Sequence, residues 1–155
     1  MAYVLVGGLA AIAHGAMRAT FDVDIVPRWK GGNLDALARA LRAANARLRV
    51  PGAAEPVAVP LDGSTLRHYK VSTWRTDHGD IDVIAGTPKR MRGQLASFEE
   101  LASRAHAREA FGVTVLVADL GDIIEAKETL NREPDRVALP ELRQLRDQLR
   151  RGGTT

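Results

Sequence analysis

The chain has 155 residues, 45% hydrophobic and 26% charged, with a net charge of +3. This is an ordinary soluble globular composition, long enough for one domain with a real core. Cysteine is absent, which excludes a disulfide framework and thiol chemistry, and no apolar stretch approaches the length of a membrane span. Met1 leads straight into an apolar segment without a basic n-region or cleavage site, so no signal peptide is expected and the cytoplasm is the default compartment. Of the 22 basic residues 18 are Arg, a residue suited to bidentate phosphate contacts, so a nucleic-acid partner is permitted but not demanded.

Tyr3 to Val6 is apolar and predicts a buried strand, ended by Gly7-Gly8, whose backbone can turn sharply and approach a ligand closely. Leu9 to Met17 carries Leu9, Ile12, Ala13 and Ala16 at helical spacing, so the free amides at the helix start can converge on a phosphate. Phe21 to Val26 predicts a second strand. Side chains alternate across a strand, so Asp22 and Asp24 share one face and Phe21, Val23 and Ile25 the other. Two carboxylates about 7 Å apart on one face are costly to hold without a cation, and Mg²⁺ is the natural counter-ion because it prefers oxygen ligands and shares its sphere with substrate phosphates. Alone, Gly-Gly is a plain turn and Asp-x-Asp a solvated strand; together they point to chemistry on a nucleoside triphosphate.

Arg28, Trp29 and Lys30 follow, then an amphipathic helix over 33–49 with Asn33 as N-cap and Leu34, Leu37 and Leu41 inward. Pro51, Pro56 and Pro60 make 51–63 a loop or a broken edge strand. Thr65 to Trp74 is rich in β-formers and reads as a strand, turned at Thr76-Asp77-His78-Gly79 into Asp80-Ile81-Asp82-Val83-Ile84. Asp80 and Asp82 share a face there. Lys89, Arg90 and Arg92 lie on a basic loop. Ser97 caps a short helix to Ala105, Phe111 to Val117 is a strand, and 119–131 is a helix with Lys127 on or beside its apolar stripe. A closing helix over 136–151 starts near Pro140, and 152–155 should fray.

Val6-Gly7-Gly8, thirteen residues, then Asp22-Val23-Asp24-Ile25 resembles the signature of the DNA polymerase β-type nucleotidyltransferase superfamily. His14-Gly15 and Arg18-x-Thr20-x-Asp22 are similar to its minimal bacterial members, the AbiEii-like and MenT-like toxin group. The resemblance implies an α/β (α+β) fold in a single domain over 1–151: a mixed sheet of about four or five strands flanked by helices. It implies a third carboxylate at Asp82, with Asp22, Asp24 and Asp82 holding two Mg²⁺, or Mn²⁺. Gly7, Gly8, Arg18, Thr20 and Lys127 would then serve the nucleotide, with Arg18 and Lys127 offsetting developing negative charge, Thr20 bracing the strand, and Asp135 orienting Lys127 or Arg132. Related chains usually carry a helix before the first strand, and this sequence departs from that pattern by opening on the strand. The reaction implied moves a nucleoside monophosphate from an NTP to an acceptor hydroxyl and releases pyrophosphate. The favoured acceptor is the 3′ end of a tRNA, along a basic surface of Arg28, Lys30, Lys89, Arg90 and Arg92, in the toxin of a toxin–antitoxin pair with a cognate antitoxin. The alternatives are protein nucleotidylation or AMPylation, a small-molecule acceptor such as an aminoglycoside, and a non-catalytic nucleotide-binding module.

Overall fold

The computed structural model describes residues 1–110 and 112–152. In chain order the elements are β1 (Tyr3–Val6), α1 (Gly7–Ala13), β2 (Asp22–Pro27), α2 (Gly31–Ala43), β3 (Arg47–Leu48), α3 (Gly63–His68), β4 (Val71–Thr76), β5 (Gly79–Ile84), β6 (Thr87–Pro88), β7 (Leu95–Ala96), α4 (Phe98–Ala102), β8 (His106–Ala110), β9 (Val113–Val117), α5 (Leu120–Leu130) and α6 (Glu133–Gly152). Seven strands form one mixed sheet in the order β3-β4-β5-β2-β1-β9-β8, and β6 and β7 form a separate two-stranded ribbon. The centre is β5-β2-β1, with β2 parallel to β5 and antiparallel to β1.

Strand alternation sends β2 and β5 side chains into two cores. Val4, Val6 and Val26 pack with Ala10, Leu101, Ile123, Ile124 and Leu142, so α1, α4, α5 and α6 cover one face. Ile25, Val83 and Trp74 pack with Leu34, Leu37, Leu41 and Leu66, so α2 and α3 cover the other. Burial on both faces is the main source of stability, at about 25 cal/mol per Å² of apolar surface. The buried Trp74 indole keeps its N–H satisfied by donating to Ser72 Oγ at 2.9 Å.

Seven strands replace the expected four or five. The extra ones are β3, two residues long, and β8, whose His-Ala-Arg-Glu-Ala has helix-forming residues yet pairs along its length with β9. Thr65 to His68 belongs to α3, not to a strand, because Asp62 caps a helix there by accepting from the amides of Ser64 and Thr65. Hydrogen bonds from Ser64 and Thr65 also hold the Asp62 carboxyl at about 2. Asn33 is not the α2 cap. The helix begins at Gly31, and the Asn33 amide instead ties Ala2 and Arg28 through their carbonyls at 2.9 and 3.0 Å. That helix ends at Ala43, ahead of β3. α6 starts at Glu133 and runs through Pro140, with Asp135 anchoring its first turn and Ala138, Leu139 and Leu142 buried. Phe111, expected in a strand, and residues 153–155 of the expected tail lie outside the described residues.

Candidate active site

The site is built where β1 runs into α1. Val6 pairs with Asp24 on the neighbouring strand, so the turn after β1 sits against that carboxylate. Gly7 has φ +66°, and a Cβ there would lie 1.9 Å from Asp24 Oδ2. A Cβ on Gly8 would lie 2.8 Å from Thr20 Oγ1. Both glycines are therefore needed for close approach, and Gly7 also for its left-handed backbone. The Gly8 amide, close to the Asp24 carboxylate, favours its charged form. Thr20 donates its hydroxyl to Asp22 Oδ1 at 2.6 Å, bracing the start of β2.

Register then gathers the acids. In the parallel β2–β5 pair Asp22 lies opposite Asp80 and Asp24 opposite Asp82, so four carboxylates share one face. Their partners separate them. Arg49 Nη1 lies 2.7 Å from Asp80 Oδ2, and Arg75, directly across β4, donates to the same carboxylate. Hydrogen bonds from Arg75 and then Arg49 outweigh desolvation and hold the Asp80 carboxyl below its usual range. Asp22, Asp24 and Asp82 each bring a carboxylate oxygen to within 4.8 Å of the others. Among the described residues Asp82 Oδ1 is a buried oxygen with no hydrogen-bond partner. Burial, then repulsion from Asp22 and Asp82, pushes Asp24 up to about 6, against the Gly8 amide and the positive field of Lys127. Three clustered carboxylates with an orphaned oxygen form a donor set that fits a hard divalent cation.

Lys127 faces this cluster from α5. Its ammonium lies 3.0 Å from Asp135 Oδ1, and Arg132 Nε lies 2.8 Å from Asp135 Oδ2. Asp135 thus holds both cations while itself being 1% exposed. Arg18 is held by Glu141 at 3.0 Å and donates to the Val137 carbonyl at 2.9 Å, tying the loop before β2 to α6. A cleft of about 820 Å³ runs between these elements and is lined by Gly7, Gly8, Arg18, Thr20, Lys127, Arg132 and Asp135, with Asp22, Asp24 and Asp82 on its wall. A second cleft of about 560 Å³, which includes Arg49, Glu55, Arg75 and Asp80, reaches the same Asp22 and Asp82.

The structure brings together every residue expected at the site, with Lys127, Arg132 and Asp135 acting as one ion cluster. The expected basic surface is largely paired internally. Arg28 stacks over Phe98 and meets Glu99 at 3.5 Å, Lys89 meets Glu100 at 2.8 Å, and Arg90 meets Glu128 at 2.9 Å. The sequence reading missed Arg49 and Arg75. Counting outward from the Asp77-His78 turn places Arg75 opposite Asp80, a signal that was available.

No family model matches the chain, and no curated protein matches it. Among solved structures it is similar to the lincosamide antibiotic adenylyltransferase LnuA, determined with lincomycin bound. The TM-score is 0.52 at 12% identity, over 93% of this chain and 87% of that one. The similarity shows a shared fold, a mixed sheet flanked by helices as in that adenylyltransferase. The finer resemblance to AbiEii-like and MenT-like toxins rests on the sequence motifs. No helix among the described residues is long and apolar enough to cross a membrane.

Proposed function

We propose that this protein is a metal-dependent nucleotidyltransferase that moves a nucleoside monophosphate from an NTP to a hydroxyl of a small-molecule acceptor. The observation that carries the reading is the orphaned Asp82 oxygen beside Asp22 and Asp24, since three converging carboxylates without a cation are costly. Asp22, Asp24 and Asp82 would hold Mg²⁺ or Mn²⁺, which when bound offsets phosphate charge and lowers the pKa of a coordinated hydroxyl. The glycine turn packs directly against Asp24, so phosphates held by the turn would lie next to the metal-binding carboxylates. Lys127 and Arg132, steadied by Asp135, supply positive charge across the large cleft. The acceptor oxygen bonds to the α-phosphorus, the α–β bridge breaks, and its electrons leave on pyrophosphate. Asp82 would take the acceptor's proton.

A small acceptor is favoured over the tRNA 3′ end because Arg28, Lys89 and Arg90 are already matched by carboxylates. The bound ligand of the LnuA structure has the same scale. The tRNA-directed toxin reading is the alternative, and it draws on the motifs and the Arg-rich composition. The test incubates the protein with α-labelled NTPs and, separately, lincomycin, kanamycin, total tRNA and cell lysate, with and without EDTA. Label should pass to a small molecule and stop in EDTA. Label on tRNA would select the toxin reading, and label on polypeptide the protein-modifying one.

A further inference from the structure

Two clefts meet at the acidic cluster, and their linings share Asp22 and Asp82. The larger one carries the glycine turn and the Lys127–Asp135–Arg132 cluster, so the nucleotide reading occupies it. The smaller one has a different chemistry. Its wall is a strap, residues 50–56, closed at one end where Leu48 bridges Val57 and where the Arg49 amide donates to the Thr73 carbonyl at 2.9 Å. Val50, Pro51 and Pro56 make part of that wall apolar. Opposite lies the Arg49–Asp80–Arg75 cluster, in which Asp80 is 17% exposed while the two arginines are 51% and 53% exposed.

Resting on the nucleotidyl-transfer reading, we infer that this second cleft seats the acceptor and that Arg49, Asp80 and Arg75 read it. The occupant is a small, non-anionic molecule carrying several hydroxyl groups. Three observations fix that class. The volume of about 560 Å³ suits a small molecule and not a folded polymer. The formal charges of Arg49 and Arg75 are cancelled by Asp80 and by Glu55, which lies close enough to Arg75 to act on its charge. These four groups sum to zero, so the cleft lining outside the metal-binding carboxylates adds no net positive field to draw in a phosphate backbone. Among the described residues the remaining guanidinium N–H groups of Arg49 and Arg75 have no hydrogen-bond partner, and the Asp80 carboxylate is shared between the two side chains. A hydroxyl both donates and accepts, so a polyol matches adjacent guanidinium and carboxylate groups where an anion would meet repulsion. Arg75 is fixed by two bonds to Asp80, so its free donors are preorganised.

The test uses the full chain with labelled NTP and the acceptor panel above, comparing wild type with Arg49→Gln, Arg75→Gln and Ala53→Trp. Ala53 is an exposed strap residue lining the cleft, and its enlargement blocks the space without touching the ion cluster. The expected result is label on a polyhydroxyl small molecule, with the acceptor KM raised on the order of tenfold or more by each variant and the NTP KM within about twofold of wild type. A small-molecule product whose KM is unmoved by all three variants overturns the inference, as does transfer to RNA or protein, which leaves nucleotidyl transfer itself standing. Binding of a fluorescent ATP analogue with Mn²⁺ separates the two levels. If no metal-dependent nucleotide binding occurs in wild type, the nucleotidyl-transfer reading fails and this inference fails with it.

Discussion

Asp135 and Asp24 line the same cleft and are treated in opposite ways. Asp135 is 1% exposed and accepts from Lys127 and Arg132. Burial opposes its charge, but the bonds from Arg132 and then Lys127 outweigh burial and hold its carboxyl below the usual range. Asp24 is only half-buried, yet burial and its two acidic neighbours push it up to about 6. The first carboxylate is compensated within the fold. The second, with Asp82, is uncompensated and faces a cleft, which is how a binding carboxylate differs from a structural one.

The largest expected effect breaks the uncompensated side. Asp82→Asn or Asp24→Asn should lower turnover on the order of 10³-fold or more with the fold retained, measured as transfer of labelled nucleotide alongside circular dichroism. Near wild-type turnover in either variant removes the metal mechanism. On the compensated side, Asp135→Asn strands two cations, and denaturant unfolding should show a loss of about 3 kcal/mol without metal. A much smaller loss, or none, would mean that solvent already satisfies Lys127 and Arg132.

The contrast sharpens with pH. The folded value of Asp24, about 6, lies above its ordinary 3.8, so protonation favours the metal-free fold. That stabilising contribution is full below about pH 3.8 and is lost as pH rises through 6. Asp24→Asn should therefore match wild type near pH 4 and exceed it by on the order of 2 kcal/mol above pH 7, after discounting for partial exposure. Urea unfolding of the metal-free proteins across that range measures the gap, and a gap independent of pH contradicts the assignment. The smallest effect concerns the neutralised neighbour. Asp80→Asn should keep turnover within about tenfold at saturating acceptor, and equal sensitivity of Asp80 and Asp82 would show that the arginines do not set them apart.

Much of the central sheet was legible. Alternation along Phe21 to Ile25 placed Asp22 and Asp24 on one face, and the glycine pair marked the turn that closes on them. Only Phe21 departs, 93% exposed, because β2 begins one residue later and the α2 layer does not reach it. Asp80 and Asp82 could not be told apart by face, since both point the same way. What separates them is a cross-strand partner at Arg75 and another at Arg49, 31 residues before Asp80. β8 was illegible for a different reason. His106 to Ala110 is mostly exposed and rich in helix formers, so its strand state comes from pairing with β9 and not from its own pattern.

The most direct measurement is Mn²⁺ binding, followed by electron paramagnetic resonance, to the wild-type chain and to Asp24→Asn, Asp82→Asn and Asp80→Asn, each with a non-hydrolysable ATP analogue. The account predicts that wild type and Asp80→Asn bind Mn²⁺ comparably, while Asp24→Asn and Asp82→Asn bind it at least about tenfold more weakly. Equal binding by all four proteins, or none by wild type, would contradict the claim that Asp22, Asp24 and Asp82 form a metal centre.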